Sequence, residues 1–423
     1  MQYLFRFRAL IALLREGDAQ FIRRIESRFG FIINFGLLFA LPAILPFIRR
    51  AAPVSLGLAG VCGVLMLICS NRMSSRVRSW FSNLYVNIFC LFTLWCLATS
   101  FWSTWAFRGI TQLFLCALMV IFGCLLYSTP RGAKYRLYLT VGILVGGALI
   151  LIDLSTGLNI IKMYSSRPEA YRYNMALVTL LLLPWGLLDF NIKGFRFLRV
   201  MALSVLTAAI FVSESETAKV ALMLGAVAYV FGLFLSRTAI QILVFASLLS
   251  VWMVSMFATD VFNVVHQLFP VLWSEGHANE RLQIWHAFGQ MGLAGQPWGW
   301  GIGTIAAPQF TSFYEAASPE IRSGLGWWHS HNNFLQIWVE LGVPGVFLAF
   351  VLSALLILPK MPEVATERAS FCAFLAAVHF VAMVSPGLWQ TWWWAAVMIG
   401  AYAQVVTRSA GIVVESQGRG NDQ

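Results

Sequence analysis

Five of the six histidines in this 423-residue chain fall between positions 259 and 342, and two stand in its richest stretch. That stretch reads Trp327-Trp328-His329-Ser330-His331-Asn332-Asn333 and runs on to Gly342-Val343-Pro344-Gly345. Leu335, Trp338, Val339 and Leu341 recur at helical spacing, and Gly342 with Pro344 marks the end of the helix. Ser330 is placed to cap its start, which puts His331 in the first turn. The positive end of a helix dipole disfavours imidazolium. A histidine kept neutral at physiological pH can take a proton, so His331 suits a general base. The competing reading is a histidine that only hydrogen-bonds a neighbouring loop. His329 and His331 also spell His-x-His, the beginning of a zinc site. Zinc needs a third and usually a fourth ligand, no partner stands out, and the expectation is no metal and no cofactor.

The cations worth weighing are few. Arg281, in Asn279-Glu280-Arg281-Leu282-Gln283-Ile284-Trp285-His286, is one of two basic residues in 259–342. Its planar fork suits bidentate binding of phosphate oxygens; the alternative is a salt bridge to Glu280 or Glu275. Lys219 follows Ser213-Glu214-Ser215-Glu216-Thr217-Ala218 and reads equally as a lysine snorkelling from a helix end. Arg167 and Arg172 could join a basic pocket, although interfacial anchoring is the commoner use of an Arg-Tyr-rich span start. Trp389, Trp392, Trp393 and Trp394 read as an aromatic belt rather than a sugar-stacking surface. His379, in mid-span, reads as a neutral imidazole bonded to a backbone carbonyl.

The elements that must position these groups are set by composition. Hydrophobic residues make up 59% and charged residues 11%, with a mean hydropathy of +0.75. A soluble surface needs roughly 25% charged residues, so the chain is an integral membrane protein, and its long unbroken apolar runs make the spans helices rather than barrel strands. Twelve windows are long enough to cross a bilayer: 31–48, 53–70, 83–102, 109–128, 137–152, 173–189, 197–213, 217–236, 238–258, 343–359, 367–384 and 388–407. The fifth and seventh are the short ones. With both termini cytoplasmic, 20 of the 29 Lys and Arg lie inside and nine outside, against eight and ten acidic residues. The positive-inside rule therefore accounts for the net charge of +11 without nucleic acid. Residues 1–30 read as an amphipathic helix on the inner leaflet rather than a signal peptide, 31–258 as the first nine spans, 343–407 as the last three and 408–423 as a cytoplasmic tail. Residues 259–342 form a large outer loop, too long to be structureless, expected to fold into short helices capping the bundle. All seven cysteines fall within spans, where they read as small buried hydrophobes.

His331-Asn332, nine residues, then Gly342-Val343-Pro344-Gly345 resembles the motif of bacterial O-antigen ligases and polymerases, which places the family's essential histidine on His331 and its motif positions on Asn332, Gly342 and Gly345. The Arg281 segment is similar to that family's arginine-containing helix. Lys219 stands where the family usually has arginine, keeping the charge and losing the fork. The resemblance implies an all-α membrane protein of about twelve spans with a large helical periplasmic loop, a GT-C-like glycosyltransferase architecture in the bacterial inner membrane. It implies an inverting, metal-independent transfer of O-antigen polysaccharide from undecaprenyl pyrophosphate to a sugar hydroxyl of the lipid A core. His331 would be the base, with Arg281, Lys219, Arg172 and Arg167 around the pyrophosphate. An O-antigen polymerase, a protein O-oligosaccharyltransferase and a flippase or exporter for lipid-linked sugars are the other readings. One dominant outer loop favours the ligase over the polymerase. Span interiors almost free of carboxylates favour an enzyme over a pump.

Overall fold

The computed structural model describes residues 19–48, 50–69, 83–127, 133–164, 173–188, 195–268, 277–327 and 329–406. Within them all regular structure is helical. The first helices are α1 (Ala19–Phe35), α2 (Ala51–Cys69), α3 (Leu84–Ala98), α4 (Ala106–Leu126), α5 (Ala133–Ser155), α6 (Asn159–Tyr164), α7 (Asn174–Leu181) and α8 (Arg196–Val212). Then come α9 (Glu216–Phe234), α10 (Arg237–Met256), α11 (Ala258–Leu268), α12 (His277–Ala294), α13 (Ser312–Ala316), α14 (Pro319–Leu325), α15 (Asn333–Ile357), α16 (Ala365–Val384) and α17 (Thr391–Val406). α1 runs on through a π-turn at Gly36–Ala40 into Leu41–Ile44.

Each of the twelve apolar windows falls on helix. Nine of these helices, among the described residues, are long and apolar enough to cross a membrane. The other three windows are the sixth, seventh and last, on α7, α8 and α17. The sixth, not the fifth, is the most abbreviated. α7 has eight residues, and the chain then tightens into a 3-10 turn at Pro184–Leu187, because a proline ring has no N–H to give to the next turn. The fifth window, by contrast, belongs to the 23-residue α5.

α16 is the hub: 61% of its span is buried, against 11% for α3 at the rim. It packs along α9, where Gly232 admits the α16 backbone so closely that a Cβ there would stand 2.5 Å from Ala369 Cα. Small residues at such a crossing are how helices associate when lipid removes the hydrophobic drive. Arg368 closes the same pair, donating to the carbonyls of Gly232 at 3.1 Å and Leu235 at 3.0 Å, which α9 leaves without intrahelical partners. Within 259–342 the described residues are largely helical, and α12 packs against α11, α14 and α15.

Candidate active site

His331 is not in a helix. The cap of α15 is Asn332, whose Oδ1 accepts from Phe334 N at 3.0 Å and Leu335 N at 3.1 Å, a geometry typically contributing about 1 kcal/mol. Ser330, expected to be the cap, instead donates to the Asn332 carbonyl at 2.7 Å. His331 is thereby pushed one place before the cap and takes φ 51°. That left-handed conformation is uncommon for a residue with a Cβ and is concentrated at functional sites.

Among the described residues, one hydrogen bond orients the ring. His331 Nδ1 lies 3.0 Å from the Ser385 carbonyl oxygen. A carbonyl only accepts, so Nδ1 carries the proton and Nε2 holds the lone pair. His329 makes the complementary choice: its Nδ1 accepts from His331 N at 3.3 Å. The two rings stand 3.9 Å apart. Burial, opposed by the Ser385 bond and assisted by the nearby Arg281 charge, brings the His331 pKa down to about 4. Burial and the neighbouring His331 bring His329 down to about 3. Both are neutral at physiological pH. The cause is burial with a cationic neighbour, more than the helix dipole the sequence suggested.

The first half of α15, Asn333–Leu341, is buried throughout. It breaks at Gly342, φ 61°, and resumes. The break is enforced from outside. A Cβ on Gly342 would meet Pro297 O at 2.2 Å, because the Gly295–Thr304 segment crosses there. The groups orphaned by the break find partners: Val343 N donates to Pro297 O at 2.9 Å, and Trp95 Nε1 on α3 donates to Leu341 O at 2.9 Å. Gly345 is needed for a related reason, since its Cβ would come 2.2 Å from Leu341 Cβ across the kink.

Glu340 and the crossing segment are what sequence reasoning missed. Gly299, Gly301 and Gly303 all have positive φ, the pattern of a loop whose N–H groups could cradle an anion. The acceptor it faces is the protein's own. Glu340 is fully buried, accepting from Ile305 N at 3.2 Å, Gln336 Nε2 at 3.4 Å and Trp389 Nε1 at 2.6 Å. The alternating glycines in Gly295-Gln296-Pro297-Trp298-Gly299-Trp300-Gly301-Ile302-Gly303 were the signal that could have found this loop.

Arg281 sits in the first turns of α12 and donates to Thr217 Oγ1, in the first turn of α9, at 3.4 Å. Its pKa is lowered by burial, with Glu216 and then Glu280 opposing. Glu216, not singled out in the sequence, thus acts on it more strongly than Glu280; Glu275 lies outside the described residues. Arg281 in turn acts on the His331 ring. Lys219 is half-buried on that same turn of α9, three positions beyond Glu216. Arg281 is therefore within electrostatic reach of His331 and within hydrogen-bond reach of the first turn of α9. Arg167 and Arg172 lie outside the described residues.

Several expectations change. Trp389, Trp392 and Trp393 are buried and tied to neighbouring groups, so they form neither a lipid-facing belt nor a sugar platform; the Trp394 indole donates to Leu388 O at 2.7 Å. His379 Nδ1 bonds the Leu375 carbonyl at 2.8 Å, as expected. His286 stacks on Phe262 at 4.1 Å and pairs with Gln290 at 3.0 Å, a packing role. Among the described residues no three His, Cys, Asp or Glu side chains gather as a metal site. The arrangement is thus a neutral imidazole whose Nε2 carries the lone pair, within electrostatic reach of the Arg281 guanidinium, in a helical membrane protein. It can take a proton from a hydroxyl and offset negative charge forming nearby.

Residues 201–350, which include Lys219, Arg281 and His331, match the family described as O-Antigen ligase. The chain is 22% identical over 337 residues to a Rickettsia conorii protein named "Putative polysaccharide ligase", covering 75% of this chain and 78% of the relative. A Rickettsia bellii protein of the same name is 21% identical over 314 residues, 72% of this chain and 75% of the relative. A Rickettsia prowazekii protein, again so named, is 37% identical over a 67-residue stretch, 15% of this chain and 16% of the relative.

Proposed function

We propose that this protein, a member of the O-antigen ligase superfamily, is an inverting glycosyltransferase that moves O-antigen polysaccharide from undecaprenyl pyrophosphate to a sugar hydroxyl of the lipid A core. The observation that carries the chemistry is the His331–Ser385 bond, which leaves Nε2 as the acceptor on a ring that feels the Arg281 charge. Nε2 takes the proton of the acceptor hydroxyl. The oxygen attacks the anomeric carbon from the face opposite the pyrophosphate, and the carbon–oxygen bond to the pyrophosphate breaks with its electron pair. Arg281, with Lys219 and the arginines of the third outer loop, Arg172 and Arg167, stabilises the departing negative charge. Fixed cations supply what a divalent ion supplies in many glycosyl transfers. As pyrophosphate neutralises Arg281, the depression of the His331 pKa by that charge is relieved, so donor binding strengthens the base.

Donor, acceptor and product are all lipid-linked, which accounts for siting the chemistry on a membrane bundle. The positive-inside count supports an inner-membrane protein with both termini cytoplasmic and His331 facing the periplasm. Deletion followed by a lipopolysaccharide gel tests the reading. Loss of long-chain bands with accumulation of lipid-linked polymer is the expected result. A core carrying a single repeat would assign a polymerase instead, and an unchanged ladder would remove both.

A further inference from the structure

We infer that Glu340 and Gln336 are positioning residues for His331, holding the Ser385 carbonyl in place through the Ser385–Trp389 segment. This rests on the reading of His331 as the base. Neither side chain was singled out by the sequence.

α16 ends at Val384, and the chain then crosses the buried half of α15. Two side chains on one face of that helix, four residues apart, pin the crossing. Gln336 Oε1 accepts from Leu388 N at 2.8 Å, and Glu340 Oε2 accepts from Trp389 Nε1 at 2.6 Å. Gly387 lies against the His329 side chain, where a Cβ would stand 3.1 Å from His329 Cβ. Glu340 also decides which way Gln336 faces. Gln336 Nε2 donates to Glu340 Oε1, so the amide must present its oxygen to Leu388. The remaining capacity of Glu340 is filled from the glycine loop by Ile305 N. A carboxylate is the group that accepts from all of these N–H donors at once. An amide at 340 would turn an NH2 toward at least one of them and leave a buried donor unpaired. The Ser385 carbonyl, three residues before Leu388, is the hydrogen-bond partner of the His331 ring among the described residues. A ring that turns by a small angle loses its line to the hydroxyl, and misplacement of about 1 Å can cost about a hundredfold in rate.

The test is transfer by purified, reconstituted enzyme from a polyprenyl-pyrophosphate-linked donor, measured as kcat, donor KM and the pH profile of kcat/KM. The variants are Glu340→Gln, Gln336→Met, Trp389→Phe and His331→Ala. The groups whose charge faces His331 are His329, Arg281 and Glu280, and all three are retained in the first three variants. The expected result for these is a fall in kcat on the order of tenfold or more, an unchanged donor KM, and an acid limb moved to lower pH. The direction follows because the Ser385 bond raises the His331 pKa. Gln336→Met alters no charge, so its shift cannot come from deleting a carboxylate. Should Glu340→Gln fail to accumulate in membranes, Gln336→Met and Trp389→Phe decide. A profile lowered uniformly without a shift, or parental kcat, overturns the positioning role. If His331→Ala is inactive in that case, the base reading stands; if His331→Ala transfers normally, the base reading itself fails.

Discussion

His331 donates a hydrogen bond from Nδ1 to the backbone oxygen of Ser385, 3.0 Å away and just past the end of α16, so the tautomer is settled before a substrate arrives. His331→Ala is expected to insert and fold yet abolish transfer. His329→Ala should be far milder, since His329 accepts the backbone N–H of His331 and packs against its ring, supporting the turn. Near-normal ligation by purified His331→Ala would end the general-base assignment.

The pH dependence has a defined sign. A base must be unprotonated to act, and the His331 pKa is lowered to about 4. The acid limb of kcat/KM, which reports the free enzyme, should therefore lie well below the ordinary histidine value of about 6.5. Arg281 contributes to that lowering, so Arg281→Ala should move the limb to higher pH while reducing the plateau. A limb unmoved by Arg281→Ala would separate the two residues.

What the sequence made legible was the periodic and the charged. Apolar windows placed the helices, and the His331-Asn332 spacing to Gly342 set His331 just ahead of the buried half of α15. The cap was misassigned to Ser330 because both Ser330 and Asn332 can cap, and only the Cβ-bearing left turn at His331 separates them. The tryptophans of 389–394 looked lipid-facing because composition carries no direction; contacts with Glu340 and Leu388 turn two of them inward. Glu340 was invisible as chemistry, since its partners are backbone and indole N–H groups brought together only by the tertiary fold.

Gly342→Ala tests the helix break. The substitution would hold a Cβ-bearing residue at φ 61°, at a cost of about 1–3 kcal/mol for the backbone alone, and would drive the Cβ onto Pro297 O. A markedly lower melting temperature in detergent is expected, together with loss of transfer as the glycine loop lifts from Glu340. Gly36→Ala, with open space around its Cβ, is the control and should melt normally. If Gly342→Ala melts like the parent, the break is not enforced by the crossing loop.

Metal independence is an expectation that chelation tests: among the described residues no third His, Cys, Asp or Glu joins His329 and His331. Transfer should continue in excess EDTA at an undiminished rate. Loss on chelation, reversed by one divalent ion, would restore a His329–His331 site.

Arg281 and Lys219 separate phosphate chemistry from structural pairing. If Arg281 grips the pyrophosphate with two parallel hydrogen bonds, Arg281→Lys should fail almost as badly as Arg281→Ala, because lysine keeps the charge and loses the fork. Removing such a charge-assisted contact typically costs about 3 kcal/mol, or about a hundredfold in rate. Lys219→Arg restores the more usual residue of the family and should be tolerated. Structural pairing makes the opposite forecast. Glu216 is the carboxylate that acts most strongly on Arg281, ahead of Glu280, and Thr217 receives its hydrogen bond. Were Arg281 merely a tie between α12 and α9, Arg281→Lys would be nearly normal, and Glu216→Ala would be as damaging as Arg281→Ala. Transfer by Arg281→Ala, Arg281→Lys, Glu216→Ala and Lys219→Arg at matched membrane expression decides between them. A fully active Arg281→Lys enzyme would leave the departing pyrophosphate to Lys219, Arg167 and Arg172.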